Sequence, residues 1–220
     1  VEQLAETEHE ILASGGGCTA LPGDVSDPDV VRSIFCKIKK VCQGVDVLVN
    51  NAGISHFGLL SDLSDSEWKN LIDTNLSSAF YCCREAIPHM VSEKCGKIIN
   101  ISSMNAYTPL TKIPAYSGAK AAVSNFTEWL AVHFSKSRIR VNGIAPGFFA
   151  TKQNRELLFE KDGTPTPRTG KILAATPLGR FGESEELIGT LLFLLNNEAS
   201  GFITGVVIPV DGGFQAYSGV

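Results

Sequence analysis

Apolar and polar positions follow two periods along this chain, near 3.6 in some blocks and near 2 in others. Residues 2–14 read as a helix, closed by the glycine run Gly15–Gly17. Cys18–Pro22 is a short strand candidate. After Asp24-Val25, Ser26 or Asp27 can cap a helix whose first turn suits Pro28. Val30, Val31, Ile34, Phe35, Ile38 and Val41 give that helix one apolar face, and Gly44 ends it. Val45–Val49 is a compact β-rich run leading into Asn50-Asn51-Ala52-Gly53. The pattern then predicts a helix over about 66–91, with Pro88 kinking or shortening its end, and a buried strand at Lys97–Ile101. A helix over about 115–135, a strand at 139–144, an irregular stretch over 147–178, a helix at 183–195 and a strand at 205–210 complete it.

Strands alternating with helices imply parallel strands joined by right-handed crossovers, hence an α/β, three-layer, doubly wound sheet. No internal repeat, linker or composition shift divides the 220 residues, so a single domain over 1–220 is expected. The net charge of −4 offers no electrostatic case for nucleic acid or an anionic membrane surface. No apolar run approaches the ~20 residues needed to span a bilayer. The acidic, helical opening VEQLAETEHEIL does not read as a signal peptide. The six cysteines lack CxxC spacing and a nearby histidine, so reduced thiols in a cytoplasmic protein are expected rather than disulfides or a metal site.

The beginning departs from this scheme. A dinucleotide fold opens with a strand, a glycine-rich turn, a helix whose N-terminus holds the pyrophosphate, and a second strand. Here the only early glycine cluster, Gly15–Gly17, follows a helix instead of opening one, so it reads as a helix stop.

Several strand ends and one helix carry candidate chemistry. Tyr116 and Lys120 lie four apart, hence on one helical face with Cβ atoms about 5–6 Å apart. An ammonium that close favours the phenolate and lowers a pKa that starts near ~10, fitting the tyrosine for proton exchange with a carbonyl or alcohol oxygen. Ser102 and Ser103 follow the strand Lys97–Ile101, at the end where parallel sheets place ligands. Asn50-Asn51-Ala52-Gly53 offers amides for loop backbones and a glycine for close ligand approach. Asn75 sits in an otherwise apolar helical stretch, where its amide either braces a kink or holds a water. Pro146-Gly147 closes the last inner strand, with Thr151 just beyond.

The segments DVSD, NNAG, TNL, NISS, YSGAK, VNGIAPG and ITGVVIPVDGG occur in this order at suitable spacings. Together they resemble the short-chain dehydrogenase/reductase family along the whole chain. The resemblance implies a Rossmann-like fold lacking its first strand–turn–helix–strand, and hydride transfer between NAD or NADP and a carbonyl or secondary alcohol. It implies Tyr116 as general acid/base, Lys120 lowering its pKa and holding the nicotinamide ribose, and Ser103 positioning the substrate oxygen. Asn75 would hold the water linking Lys120 to solvent. Asp24 and Val25 would lie beside the adenine, with Asn50, Ala52 and Gly53 beside the adenosine ribose and sheet. Pro146, Gly147 and Thr151 would flank the nicotinamide. The absent glycine-rich turn and following strand carry the pyrophosphate site and the NAD-versus-NADP reader of the family. A chain without them is expected to fold poorly and to bind little cofactor. An incomplete sequence of a working enzyme is the expectation, with a truncated non-catalytic product as the alternative.

The stretch 148–178 corresponds to the family's substrate lid. Lys152, Arg155, Arg168 and Lys171, with Arg180 just beyond, make it basic within an acidic protein. Guanidinium groups bind carboxylates bidentately, so a small-molecule carboxylate substrate is expected, with Lys152 and Arg155 as candidate contacts. The lid and tail resemble the fructuronate (mannonate) reductase branch, which implies exchange between a keto sugar acid and an aldonate. The alternative is another sugar, polyol or gluconate dehydrogenase. The family also implies a homodimer or homotetramer paired through the helices at about 66–91 and 115–135.

Overall fold

Strands β1 (Val47–Asn50), β2 (Gly96–Ile101), β3 (Ile139–Pro146) and β4 (Val207–Val210) form a parallel sheet in that order. The computed structural model describes residues 2–42, 44–151 and 155–219, and the statements below concern those residues. Helices α1 (Glu2–Ala13), α2 (Pro28–Cys42), α3 (Asp65–Ile72), α4 (Ser78–Glu93) and α5 (Pro114–Phe134) precede β3. Helices α6 (Arg155–Leu158), α7 (Pro167–Ala174), α8 (Glu186–Leu195) and α9 (Asn197–Ser200) follow it.

The two inner strands are apolar on both sides, as strands covered by helices on both faces must be. Ile98 and Val141 face a core built with Val31 and Phe35 of α2, Met90 of α4 and Leu130 of α5. Ile99 and Ile144 face the opposite way, onto Leu194 of α8 with Leu187, Leu191 and Ile208 around it. This is the expected doubly wound arrangement. Arg140 locks α8 to the sheet by donating to the carbonyls of Leu194 (2.8 Å) and Ile203 (3.2 Å).

Local signals account for the helix ends. Asp27 accepts from the amide of Asp29 at 2.8 Å, so it rather than Ser26 caps α2, with Pro28 in the first turn. The α1 helix ends in a left-handed Gly15 (φ +86°), whose amide bonds Leu12 while that of Gly16 reaches Ile11. The glycine run is therefore a helix stop. No side chain of α1 is buried.

Three expectations differ from the structure. Cys18–Pro22 is irregular and joins no ladder among the described strands; its Ala20 amide bonds the Glu8 side chain at 2.8 Å instead. The helix expected over 66–91 is α3 and α4 joined by a π-turn at Asp73–Ser77, and α4 runs through Pro88 to Glu93. The irregular stretch 147–178 contains α6 and α7, and single bridges Phe149–Gly182 and Phe159–Pro165 tie it down.

Candidate active site

The end of β2 delivers two adjacent serines in opposite directions. The Ser102 hydroxyl is spent inside, 2.7 Å from that of Ser124 and donating to the Lys120 carbonyl at 3.1 Å, which fastens α5 to the sheet. Ser103 instead caps a short 3₁₀ turn, Met104–Ala106, and its Oγ accepts from both the backbone and the side-chain amide of Asn105 (3.2 and 3.3 Å). With those donors in place, the Ser103 proton is free to bond the Tyr116 phenol.

Pro114 starts α5 so that Tyr116 and Lys120 lie one turn apart on the face turned to Ser103. Lys120 Nζ sits 5.6 Å from the Tyr116 ring centroid and donates to the Ile101 carbonyl at 2.8 Å. Burial disfavours its charge and pulls its pKa down to about 8. The expected lowering of the Tyr116 pKa by Lys120 is not what this geometry produces. Desolvation raises the phenol's pKa, and only the Ser103 hydrogen bond acts the other way.

The π-turn explains Asn75. Its Nδ2 donates to the carbonyls of Leu71 (2.9 Å) and Ile54 (2.8 Å), while Oδ1 accepts the Ile54 amide at 3.3 Å. The amide braces the helix break and clamps the loop after β1. Gly53 lies directly against this clamp, where a Cβ would come within 2.8 Å of Asn75 Oδ1 and 3.5 Å of Lys120 Nζ. Only glycine lets the loop approach so closely.

These groups open on a cavity of about 290 Å³, close to the lower end (~300 Å³) of small-molecule sites. Gly53, Ser103, Asn105, Tyr116, Lys120, Pro146, Gly147, Phe148 and Thr151 line it, with Leu157, Leu158 and Arg168 from the lid side. Arg168 is stacked on Phe57, its guanidinium carbon 4.2 Å from the ring centroid. Among the described residues, no acidic side chain lines the cavity, and no cluster of three or more His, Cys, Asp or Glu side chains is placed to hold a metal.

Comparison with known proteins fits this geometry. The family model described as enoyl-(acyl carrier protein) reductase matches residues 1–215. An uncharacterised oxidoreductase of Haemophilus influenzae is 47% identical, the match covering 100% of this chain and 83% of that protein. The chain is a short-chain dehydrogenase/reductase. The dehydrogenase superposes with a TM-score of 0.92 on a solved Haemophilus influenzae protein provisionally described as a D-mannonate oxidoreductase, with bound NAD. That pair is 46% identical, covering 98% of this chain and 83% of the other. A gluconate 5-dehydrogenase from Burkholderia cenocepacia, solved with NADP and tartrate, gives a TM-score of 0.89 at 30% identity, covering 97% and 81%.

Not every residue singled out from the dehydrogenase's sequence reaches the cavity. Pro146, Gly147 and Thr151 do. Ala52 and Val25 line a smaller neighbouring cavity of about 100 Å³, where Val25 also packs on the core. Asn50 borders the same small cavity, but its side chain is engaged elsewhere: register sets it opposite Asn100, and its Nδ2 donates to Asn100 Oδ1 at 2.8 Å. Asn100 in turn donates to Thr127 of α5 at 2.9 Å, so this amide pair is a brace between strands and helix. Asp24 turns its carboxylate onto the amide and hydroxyl of Ser26, which holds its pKa below the usual range and opens the turn before α2. Arg155 is exposed over Phe159 (5.5 Å) and does not line the cavity, because α6 turns it outward. Lys152 lies outside the described residues. Asn105, Phe57 and the cavity position of Arg168 escaped the sequence reading. A polar residue two beyond a strand-end serine was the available signal for Asn105.

Proposed function

We propose that this oxidoreductase interconverts a keto sugar acid and an aldonate, with Tyr116 as the proton donor and acceptor. The convergence of Ser103, Tyr116 and Lys120 at one wall of a cavity that no carboxylate lines among the described residues carries the reading. NAD or NADP, when bound, supplies or takes up the hydride. Pro146, Gly147, Thr151 and Lys120 form a wall able to hold the nicotinamide end; Gly53, expected beside the adenosine ribose, lines this cavity instead, and its bare Cα leaves the space a close approach needs. Val25 and Ala52, at the adjoining smaller cavity, are on the side where the adenosine end would run.

In the reducing direction the Tyr116 phenol gives its proton to the substrate oxygen, and in the oxidising direction the phenolate takes it back. Ser103, already accepting two bonds from Asn105, would turn its proton from the phenol to that oxygen when substrate is bound. Lys120, held on the Ile101 carbonyl beside the phenol, is placed to hold the nicotinamide ribose. Both amide hydrogens of Asn75 are used, so a water joining Lys120 to solvent would bond the remaining lone pair of Oδ1.

Residues 148–178 serve as the substrate lid, with Leu157, Leu158 and Arg168 closing over the cavity. The similarity to gluconate 5-dehydrogenase favours gluconate as a second substrate reading. The molecule assembles as a homodimer or homotetramer through α4 and α5. In support, an aromatic stripe of Phe80, Phe126, Trp129 and His133 leaves Trp129 53% exposed. Six free thiols suit a cytoplasmic protein.

Spectrophotometric assays of the protein expressed from its whole reading frame, with NAD and NADP, test the reading. Turnover of fructuronate and mannonate, or of gluconate, is expected. Activity confined to uncharged polyols would overturn the sugar-acid assignment. Tyr116→Phe should cut kcat by about 10³-fold or more while dinucleotide affinity stays unchanged. Retained turnover would remove Tyr116 from its role.

A further inference from the structure

Resting on the sugar-acid reading, we infer that Arg168, stacked on Phe57, anchors the substrate carboxylate, and that Asn105 accepts a hydroxyl of the same substrate.

Among the described residues, the cavity wall has two cationic side chains, Lys120 and Arg168, and no acidic one. Lys120 is committed, since its ammonium is bonded to the Ile101 carbonyl beside the phenol. Arg168 is not committed. Its one contact of this kind is the ring face of Phe57 at 4.2 Å, with no hydrogen bond or ion pair among the described residues. No acceptor among the described residues takes up its N–H groups, and a guanidinium fork receives a carboxylate through two parallel bonds. Other arginines show the contrast. Arg180 is already paired bidentately with Glu186 at 2.6 and 2.7 Å, and Arg140 is spent on backbone carbonyls.

Asn105 supplies an independent observation. Its residue is 7% exposed, it lines the same cavity, and its Oδ1 is a buried acceptor without a partner. A buried acceptor left bare is costly, and a substrate hydroxyl meets the need. Its Nδ2 meanwhile holds Ser103 at 3.3 Å, so the group that reads the substrate also orients the serine. A polyhydroxy acid has both features to offer: one carboxylate for the fork and hydroxyls along its chain.

The test compares kcat/KM for D-mannonate and D-gluconate with that for their neutral amides, which keep the shape and remove the charge. The wild-type enzyme should prefer the acids by about 100-fold, the scale of two charge-assisted hydrogen bonds. Arg168→Met should abolish that preference mainly through KM for the acid, with a much smaller loss for the amide, and leave NADH affinity unchanged by fluorescence. Arg168→Lys, which keeps charge and length but loses the fork, should fall between. A preference unchanged in Arg168→Met, or in Arg168→Lys should the first variant fail to fold, overturns the assignment of Arg168 while the sugar-acid reading stands. A wild-type enzyme with no preference for acid over amide overturns that reading itself and this inference with it. Asn105→Ala should lower kcat/KM for acid and amide alike, and a loss confined to the acid would refute its role as hydroxyl acceptor.

Discussion

Lys120→Met should make this protein more stable at neutral pH and less stable in alkali. The amine is 3% exposed, and burial pulls its pKa from about 10.5 to about 8. At ~1.4 kcal/mol per pH unit, that gap corresponds to about 3 kcal/mol of destabilisation whenever the folded state must carry the proton. The sign follows from proton counts. Between pH 8 and 10.5 the unfolded chain holds a proton that the folded one has released, so wild-type stability rises with pH across this window. Below it the favourable contribution is absent, and above it fully present. Methionine removes the titration and the bond to the Ile101 carbonyl, which is worth roughly 1 kcal/mol. Lys120→Met should therefore exceed wild type by about 2 kcal/mol at pH 7, match it near about pH 9.5 and fall below it beyond. Tyr116, Cys82 and Cys83 have raised pKa values and lose stabilising influence as pH rises, but they cancel in the difference. Both proteins are best compared in a Tyr116→Phe background, which removes coupling to the phenol. Equilibrium denaturation from pH 6.5 to 10, followed by tryptophan fluorescence, reads the difference directly. A difference that stays constant with pH would show that the buried amine keeps its ordinary pKa, and the reasoning would fail. The variant's activity should be lost even where its stability is gained, because the charge beside the phenol is functional rather than structural.

Other perturbations test the surrounding framework. Asn75→Ala strips partners from both backbone groups of Ile54 and from the Leu71 carbonyl, so stability should drop by roughly 2–4 kcal/mol and KM for the dinucleotide should rise. An unchanged melting curve would show that the clamp carries no weight. Asn100→Leu interrupts the chain from Asn50 to Thr127 and should cost roughly 2–3 kcal/mol in denaturant, with little change in KM for substrate. Alkylation at pH 8, read by peptide mass, should modify Cys36 and Cys95 and spare Cys83, whose thiol is buried and pushed up to about 12. Labelling of Cys83 in the native protein would mean that the α4–β1 contact opens readily.

Legibility differed from one part of the chain to another. The α2 helix was plain because its cap, proline and apolar face all agree. The β2 and β3 strands were plain because short runs of isoleucine and valine have few other uses. Tyr116 and Lys120 could be paired from their spacing at a helix start, while the strand end offered two serines and only the family resemblance singled out Ser103. The helix break at Asn75 was one of two readings of a lone asparagine in an apolar stretch, but which carbonyls it takes was not legible. Ser102 and Ser103 looked equivalent until the strand direction sent one inward to Ser124 and the other into the cavity. The basic lid was visible as composition, but composition could not separate Arg155 over Phe159 from Arg168 over Phe57.

Local information thus set the alternation of strands and helices, the helix stops and the types of chemically capable side chain, because each depends on near neighbours in the chain. Pairing settled the remainder. The run 18–22 is not a strand because no described strand pairs with it, and its Ala20 amide is taken by the Glu8 side chain. Asn50 braces the interior because register sets Asn100 opposite. The Tyr116 pKa is raised rather than lowered because burial outweighs the Ser103 hydrogen bond. Burial, register and direction are properties of contacts between segments far apart in sequence, so they exist only once the chain has folded.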